Sequence, residues 1–580
     1  MVGCKLRTVA LDVELKRLQY AWFHFSIVWK LRQSSFFCTR PPSMDRFTLI
    51  SRPTLPVLAL LAVMAGLTVR AQTAARSADA VPTLKVNARI VVLDVTVTDK
   101  AGKLVDNLTQ KDFTVLEDKV PQSIRSFEPP SAHALPGSTL EKPANLVHSA
   151  ADLPKIGNAP TTILVLDELN TRFEDMSYGR NQLVKYLQAQ GAVLAQPTAL
   201  LYAGNTKFVE LHDYTQDRDA LLNDVKHHMP EYPSKLMAGK QGPAAVERMV
   251  QTLASLEQLA QASGGTPGRK NLVWVGVGFP SSDIATLDVK TAATIEAAIR
   301  RCTDMLLAAR ITLYTINPTA NTTTTLAVST PDDLEAANPS DLDTAATENG
   351  SQPFSGAVQF SNFAPATGGR AFLSRNDIHN EINEGIASGA TYYTLSYAPA
   401  NTSEEAGKFR NIRIVMKDPS LHATTRNGYF AAESLPTPTA GEPPRQVRSQ
   451  IQLDLSNAVI STMSYNALKL SAAKTVSGGT EIYSITVSGA SPATAISWRS
   501  APGGKAEQAE ATVLAAWYGA QNKLLGHVAQ EVTATRPSGS AADAVFHLAV
   551  PLGAEKPERL RLLVRDAATG HMGTIDIAKP

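Results

Sequence analysis

Thr162-Ile-Leu-Val-Leu166, closed by Asp167, is the stretch that decides the fold. It has no apolar–polar alternation, so it reads as a strand buried on both faces, as in parallel sheets. Similar runs follow at Thr198–Ala203, Asn271–Val277 and Ile311–Ile316, with a short last strand at Arg370–Leu373. Lys207–Leu211 alternates like an edge strand. Between the runs the period changes to that of helices. Met176–Gln190 carries Leu183, Tyr186 and Leu187, and Ala244–Ala262 carries Val246, Met249, Val250, Leu253, Leu256 and Leu259. Asp217–His228, Ile295–Ala309 and Asp377–Ala387 read the same way. Strands alternating with helices predict an α/β domain over residues 161–389, a doubly wound and mostly parallel sheet. Residues 318–360, rich in Thr, Asn, Ser and Ala, interrupt that order and are expected to be a disordered insertion.

The flanks have a different period. Val91, Leu93, Val95 and Val97 alternate with their neighbours, and residues 84–128 read as a small β unit, too small to be stable alone. Residues 390–431 return to strands at Tyr392–Tyr397, Phe409–Met416 and Arg426–Phe430. The two halves are expected to pair into one β-sandwich with the α/β domain inserted between them. Residues 129–160, rich in Pro, Ala and Ser, and 432–446, rich in Pro and Thr, read as linkers. Residues 447–580 read as a C-terminal β-sandwich, with strands at Ile451–Leu455, Ile482–Val487, Val513–Tyr518, Val545–Val550, Leu560–Val564 and Thr574–Ile577.

Residues 44–71 have the layout of a secretory signal. Arg46 and Arg52 precede an apolar run from Leu55 to Val69, and Val69-Arg70-Ala71 suits a cleavage site. That run is shorter than the roughly 20 residues of a membrane span. A signal starting at Met44 makes residues 1–43 a mis-assigned start. Ten of the 55 basic and three of the 53 acidic residues lie in 1–71. The remainder therefore has 45 basic and 50 acidic residues, a net charge of −5 instead of +2. That balance gives no electrostatic case for nucleic acid. Of the three cysteines only Cys302 remains, which suits an oxidising compartment. The chain is expected to be exported to the periplasm, cell envelope or exterior, without a membrane span in its mature form.

Several stretches, in order, resemble the von Willebrand factor A-related proteins abundant in acidobacteria. They include Val95-Thr-Val-Thr-Asp-Lys-Ala-Gly-Lys103, Leu108-Thr-Gln-Lys-Asp-Phe113, Val115-Leu-Glu-Asp118, Leu166-Asp-Glu-Leu-Asn-Thr171 and Gly268-Arg-Lys-Asn-Leu-Val-Trp274. Gly276-Val-Gly-Phe-Pro280, Thr367-Gly-Gly-Arg-Ala-Phe372, Tyr392-Tyr-Thr-Leu-Ser-Tyr397 and Arg426-Asn-Gly-Tyr-Phe430 complete the match across residues 84–430. The resemblance implies a type A domain whose ligand site lies at the C-terminal ends of the strands. It also implies a Mg²⁺ site built on an Asp-x-Ser-x-Ser loop, a Thr and a second Asp. This chain departs from that pattern. Asp167 is present, Leu169 replaces the first Ser, and only Thr171 keeps a hydroxyl. Gly276-Val277-Gly278 stands where an Asp is expected, and Gly264-Gly265-Thr266 falls after the helix it should precede. The candidate binding loops are therefore Asp167, Asn170, Thr171, Gly276 and Gly278, with Asp167 and Thr171 the candidate metal ligands of a degenerate site. The expected cofactor is none, with Mg²⁺ as the alternative.

Other constellations fail. Gly264–Asn271 lacks the spacing of a phosphate loop, and no zinc-protease or serine-hydrolase motif is present. His227-His228 are adjacent on a helix and diverge. Cys302, among apolar neighbours, reads as an inert buried thiol. Tyr392, Tyr393 and Tyr397 read as sheet residues, with a carbohydrate-stacking face as the alternative. No catalytic residue is assigned. The expectation is a protein-binding or adhesion module with a protein partner. The alternatives are a structural envelope scaffold, or a hydrolase using the cleft around Asp167, Thr171 and Gly276.

Overall fold

The computed structural model describes residues 90–138, 143–239, 242–279, 282–283, 287–319, 354, 357–372, 377–399, 408–431, 445–477, 480–489, 495–501, 504–552 and 556–580. The segments expected to be a signal (44–71) and a mis-assigned start (1–43), and most of the 318–360 insertion, lie outside these residues. The described residues open with β1 (Val91–Thr98), β2 (Phe113–Glu117), β3 (Val120–Gln122) and β4 (Ile124–Glu128). Next come β5 (Thr161–Asp167), α1 (Phe173–Ala189), β6 (Val193–Ala203), β7 (Phe208–Asp217), α2 (Arg218–His227), α3 (Ser234–Ala238) and α4 (Pro243–Ala262). Then follow β8 (Lys270–Val275), β9 (Ser282–Asp283), α5 (Val289–Ala308), β10 (Ile311–Ile316), β11 (Ala357–Val358), α6 (Phe363–Thr367), β12 (Ala371–Phe372) and α7 (Ile378–Ala390). The return strands are β13 (Tyr393–Tyr397), β14 (Phe409–Met416), β15 (His422–Thr424) and β16 (Gly428–Phe430). The last part holds α8 (Arg445–Ile460), β17 (Leu470–Ser477), β18 (Thr480–Val487), β19 (Arg499–Ser500), β20 (Ala506–Tyr518), β21 (Leu524–Pro537), β22 (Ala544–Val550), β23 (Arg559–Asp566) and β24 (Met572–Ala578).

The central sheet has the order β12-β10-β8-β5-β6-β7. All its pairs are parallel except β6 with β7, which is antiparallel at the edge. Successive side chains of a strand face opposite sides. Leu164 and Leu166 of β5 pack with α1, α2 and α7 through Met176, Leu183, Val225 and Ile382. Ile163 and Val165 pack with α4 and α5 through Met249, Leu253, Ile299 and Leu306. Helices on both faces are why the strand sequences show no polar alternation.

The flanking strands pair across the central segment. β1 lies antiparallel to β13 in one sheet, ordered β15-β1-β13-β4. β2 lies antiparallel to β14 in the other, ordered β16-β14-β2-β3. Val91, Leu93, Val95, Val97, Leu395 and Tyr397 of the first sheet meet Phe113, Val115, Ile412 and Tyr429 of the second. The expected pairing of residues 90–98 with strands from 391–430 is therefore present. Tyr392, Tyr393 and Tyr397 are fully buried, so they form no exposed stacking face.

Three expectations need correction. Ile451–Leu455 is helical, part of α8. Five alternating residues fit either period, but Leu455, Ala458 and Val459 bury one helical face against the core of α4. Residues 129–160 are not a loose linker where they are described. They contain short 3₁₀ turns at Pro130–His133 and Ala150–Ile156, and bury Leu135, Val147, Leu153, Ile156 and Ala159. The end of the 318–360 insertion is packed: Val358 and Phe360 are core residues. In the insertion, residues 320–353 lie outside the described residues, as do 432–444 of the second linker.

In the C-terminal part, sheet β17-β18-β22 faces the sheet containing β20, β21, β23 and β24. Ile485 and Phe546 meet Val513, Trp517 and Leu562 between them. The other face of β20 carries Leu514, Ala516 and Tyr518 into the same core as α4. β20 is thus buried on both faces, which explains its continuous apolar run.

Glu210 of β7 borders a small cavity between the central sheet, the end of α4 and residues 463–466, with Asp213, Tyr214, Ser464 and Asn466. Burial first, and then the charge of Asp213, push its carboxyl up to about 8; Asp576 adds to the rise and Arg561 opposes it. An acid with a raised folded-state pKa is stabilising when protonated, and that stability is lost as pH climbs from its unfolded to its folded value. The window here is about 4.5 to about 8. Glu210→Gln is expected to flatten the unfolding-temperature profile across it and to raise the unfolding temperature at pH 8. An unchanged slope would count against this.

Candidate functional site

The strand order reverses between β5 and β8, and the C-terminal ends at such a reversal are the usual ligand position in open α/β sheets. Asp167 closes β5 and Gly276 follows β8. Asp167 is fully buried. Its Oδ1 accepts main-chain N–H bonds from Leu169 (3.2 Å) and Asn170 (3.0 Å), and its Oδ2 accepts one from Gly278 (2.6 Å). Burial pushes this carboxyl up to about 6, with the amides of Asn170, Gly278 and Leu169 pulling it back. Thr171 Oγ1 accepts from the Val277 amide at 3.0 Å.

The two glycines allow this clamp. Gly276 has φ +147°, and a Cβ there would lie 2.3 Å from Asp167 Cβ and 2.6 Å from Thr171 Oγ1. Gly278 has φ +76°, and its Cβ would lie 2.0 Å from the Phe360 ring. Phe360 in turn packs on Trp274 and Phe279, ring centroids 5.1 and 5.3 Å away. All five expected residues, Asp167, Asn170, Thr171, Gly276 and Gly278, are therefore brought together.

Residues without a motif signal complete the site. Asn170 Nδ2 donates to Thr252 Oγ1 (3.0 Å) and to the Gly278 carbonyl, which also accepts from Thr252 Oγ1 (2.8 Å). Asn170 Oδ1 accepts from Nε of Arg248 at 3.1 Å. Arg248 is 1% exposed. Its Nη1 donates to the carbonyls of Lys235 (3.1 Å), Ala244 (3.3 Å) and Gly239. Burial disfavours its charge, and Asp167 and Glu247 favour it. The signal for Arg248 is its position in α4, where it shares a face with buried Ala245 and Thr252.

Glu168, also buried, turns the other way. It is hydrogen-bonded to His228 Nε2, and its Oε2 accepts from the Glu231 amide at 2.7 Å. Asn205 donates from Nδ2 to the Tyr232 carbonyl (2.9 Å), and its Oδ1 accepts from the Lys235 amide (3.2 Å). The segment from His228 to Gly239 is thus tied down by buried side chains at the strand ends. It leaves Met229, Tyr232 and Met237 exposed at 75%, 63% and 56%. His227 and His228 do diverge: His227 bonds the Asn223 carbonyl while His228 faces Glu168.

Mg²⁺ takes six hard oxygens in near-octahedral order. Asp167 and Thr171 supply the expected oxygens, but each already accepts main-chain hydrogen bonds, and the glycine loop packs directly on them. This donor set does not fit such an ion. Among the described residues no group of three or more His, Cys, Asp or Glu is arranged to hold a metal. Cys302 is a buried free thiol, and burial pushes its pKa well up. No helix among the described residues is long and apolar enough to cross a membrane.

A comparison with protein-family models returned no match, and a comparison with curated proteins returned none.

Proposed function

We propose that the chain is an exported protein-binding module of the von Willebrand type A-related kind, with its partner surface at the C-terminal ends of the central strands. The observation that carries this reading is the segment 228–239. Buried Glu168, Asn205 and Arg248 hold its backbone, yet Met229, Tyr232 and Met237 stand in solvent. Exposed large apolar residues on a firmly held segment are what a partner surface needs. The sheet order supports the type A reading, and Glu168 and Asn205, just past the ends of β5 and β6, tie that segment to the strand ends. The sandwich pairing of the flanking strands suits a spacer on which such a domain is carried.

The test is a pull-down of envelope proteins from the source, comparing the native chain with a Met229→Lys, Tyr232→Ser, Met237→Lys variant. Interface anchors cost about 2 kcal/mol or more when removed. Capture of a specific partner is expected to fall at least about tenfold. The unfolding temperature is expected to stay nearly constant, because exposed positions change stability by only about 0.5 kcal/mol. Equal capture by both forms would sink this surface assignment. Absence of any specific partner would favour a structural scaffold.

A further inference from the structure

We propose that Arg248 is a built-in cation for the strand-end site: its guanidinium, acting through Asn170, balances the Asp167 carboxylate in the role of a divalent ion, so that the 228–239 surface is held without metal. The proposal rests on the reading above only for the use of that surface.

The geometry is a continuous chain of buried groups. Asp167 receives the Asn170 amide on Oδ1, and Asn170 Oδ1 receives Arg248 Nε. The same guanidinium reaches the carbonyls of Lys235, Gly239 and Ala244, the end of the exposed segment and the start of α4. Its Nη2 is buried and has no hydrogen-bond partner among the described residues, so the charge is not cancelled by a salt bridge there. A buried carboxylate needs a compensating charge or dipoles. Three amides supply the dipoles, and Asp167 in turn favours the Arg248 charge. An arginine remains ionised when buried, so it serves as a permanent cation. Arg248 is a positioning residue: it acts through Asn170 and the main chain.

A site with an internal cation responds to chelators and added metals differently from one that borrows an ion. Thermal unfolding of the full chain is expected to be the same in EDTA and in millimolar Mg²⁺, Mn²⁺ or Ca²⁺. Arg248→Met is expected to lower the unfolding temperature by several degrees, and Arg248→Lys to recover part of that loss. In an Asp167→Asn background the same Arg248→Met change is expected to cost clearly less, since the charge it balances is gone. Should Arg248→Met fail to fold, the Arg248→Lys comparison in the two backgrounds carries the same test. A role in packing alone would give equal losses in both backgrounds, and that outcome overturns the proposal. So would a cation-dependent rise in unfolding temperature that Asp167→Asn abolishes. These measurements use the isolated chain, so a failed partner assignment leaves them intact.

Discussion

Gly278→Ala is expected to lower the stability of the central domain by about 3 kcal/mol or more, through steric overlap added to backbone strain. Two terms act together. The residue sits at φ +76°, which costs an L-residue roughly 1 kcal/mol. A Cβ there would also lie 2.0 Å from the Phe360 ring, which Trp274 and Phe279 hold in place. Relief requires either the ring to leave the core or the loop to leave Asp167. Gly102→Ala separates the terms. Gly102 has nearly the same dihedral, φ +78°, but nothing within 4 Å of its Cβ position. Its variant is expected to lose only the backbone part. Thermal unfolding of both variants is the measurement, and similar losses would argue against a tight Phe360–Gly278 contact.

Arg310→Ala is expected to cost about 2–3 kcal/mol, because it leaves the part-buried Asp94 charge without its partner. Arg310 precedes β10, and its Nη2 lies 2.5 Å from Asp94 Oδ1 on β1. It also donates to Thr394 Oγ1 (3.0 Å) and to the Pro267 carbonyl (2.9 Å). One guanidinium thereby joins the sandwich to the base of the central sheet. Burial works against the Asp94 charge, but Arg310 and Arg269 hold its carboxyl below the usual range. A depressed acid contributes stability that is lost as pH falls through its folded-state value. In the variant that acid-sensitive contribution is expected to shrink. Hydrogen exchange at β1 and β13 should rise first, because those strands carry the contact. Unchanged protection there would contradict the assignment.

The site was legible to different depths. Asp167 and the Gly276–Gly278 loop stand at the ends of apolar runs, and the family pattern singles them out among the run ends. Thr171 follows from its place as the last hydroxyl of an Asp-x-Ser-x-Ser pattern, and Asn170 lies in the same loop. Glu168 carries no signal of its own, because adjacent acids look alike in sequence; only the fold turns Asp167 towards Gly278 and Glu168 towards His228. Phe360 lay in a stretch of composition that reads as unstructured, yet one aromatic there fills the space above a glycine. The helix at α8 was hidden because a short alternating segment fits both periods.

By itself the sequence determined the local periods: buried strands, amphipathic helices, and the break between the flanking β strands and the central α/β segment. These are visible because burial on one face or two imposes spacing that neighbouring residues must obey. Only the tertiary structure decided how groups far apart in the chain meet. Arg248 reaches Asn170 from 78 residues away, Arg310 reaches Asp94 from 216, and the Asp167 oxygens are taken up by main-chain amides. Such contacts leave no period behind, because each depends on one side chain arriving at one place. The charge balance of the strand-end site is therefore set by packing.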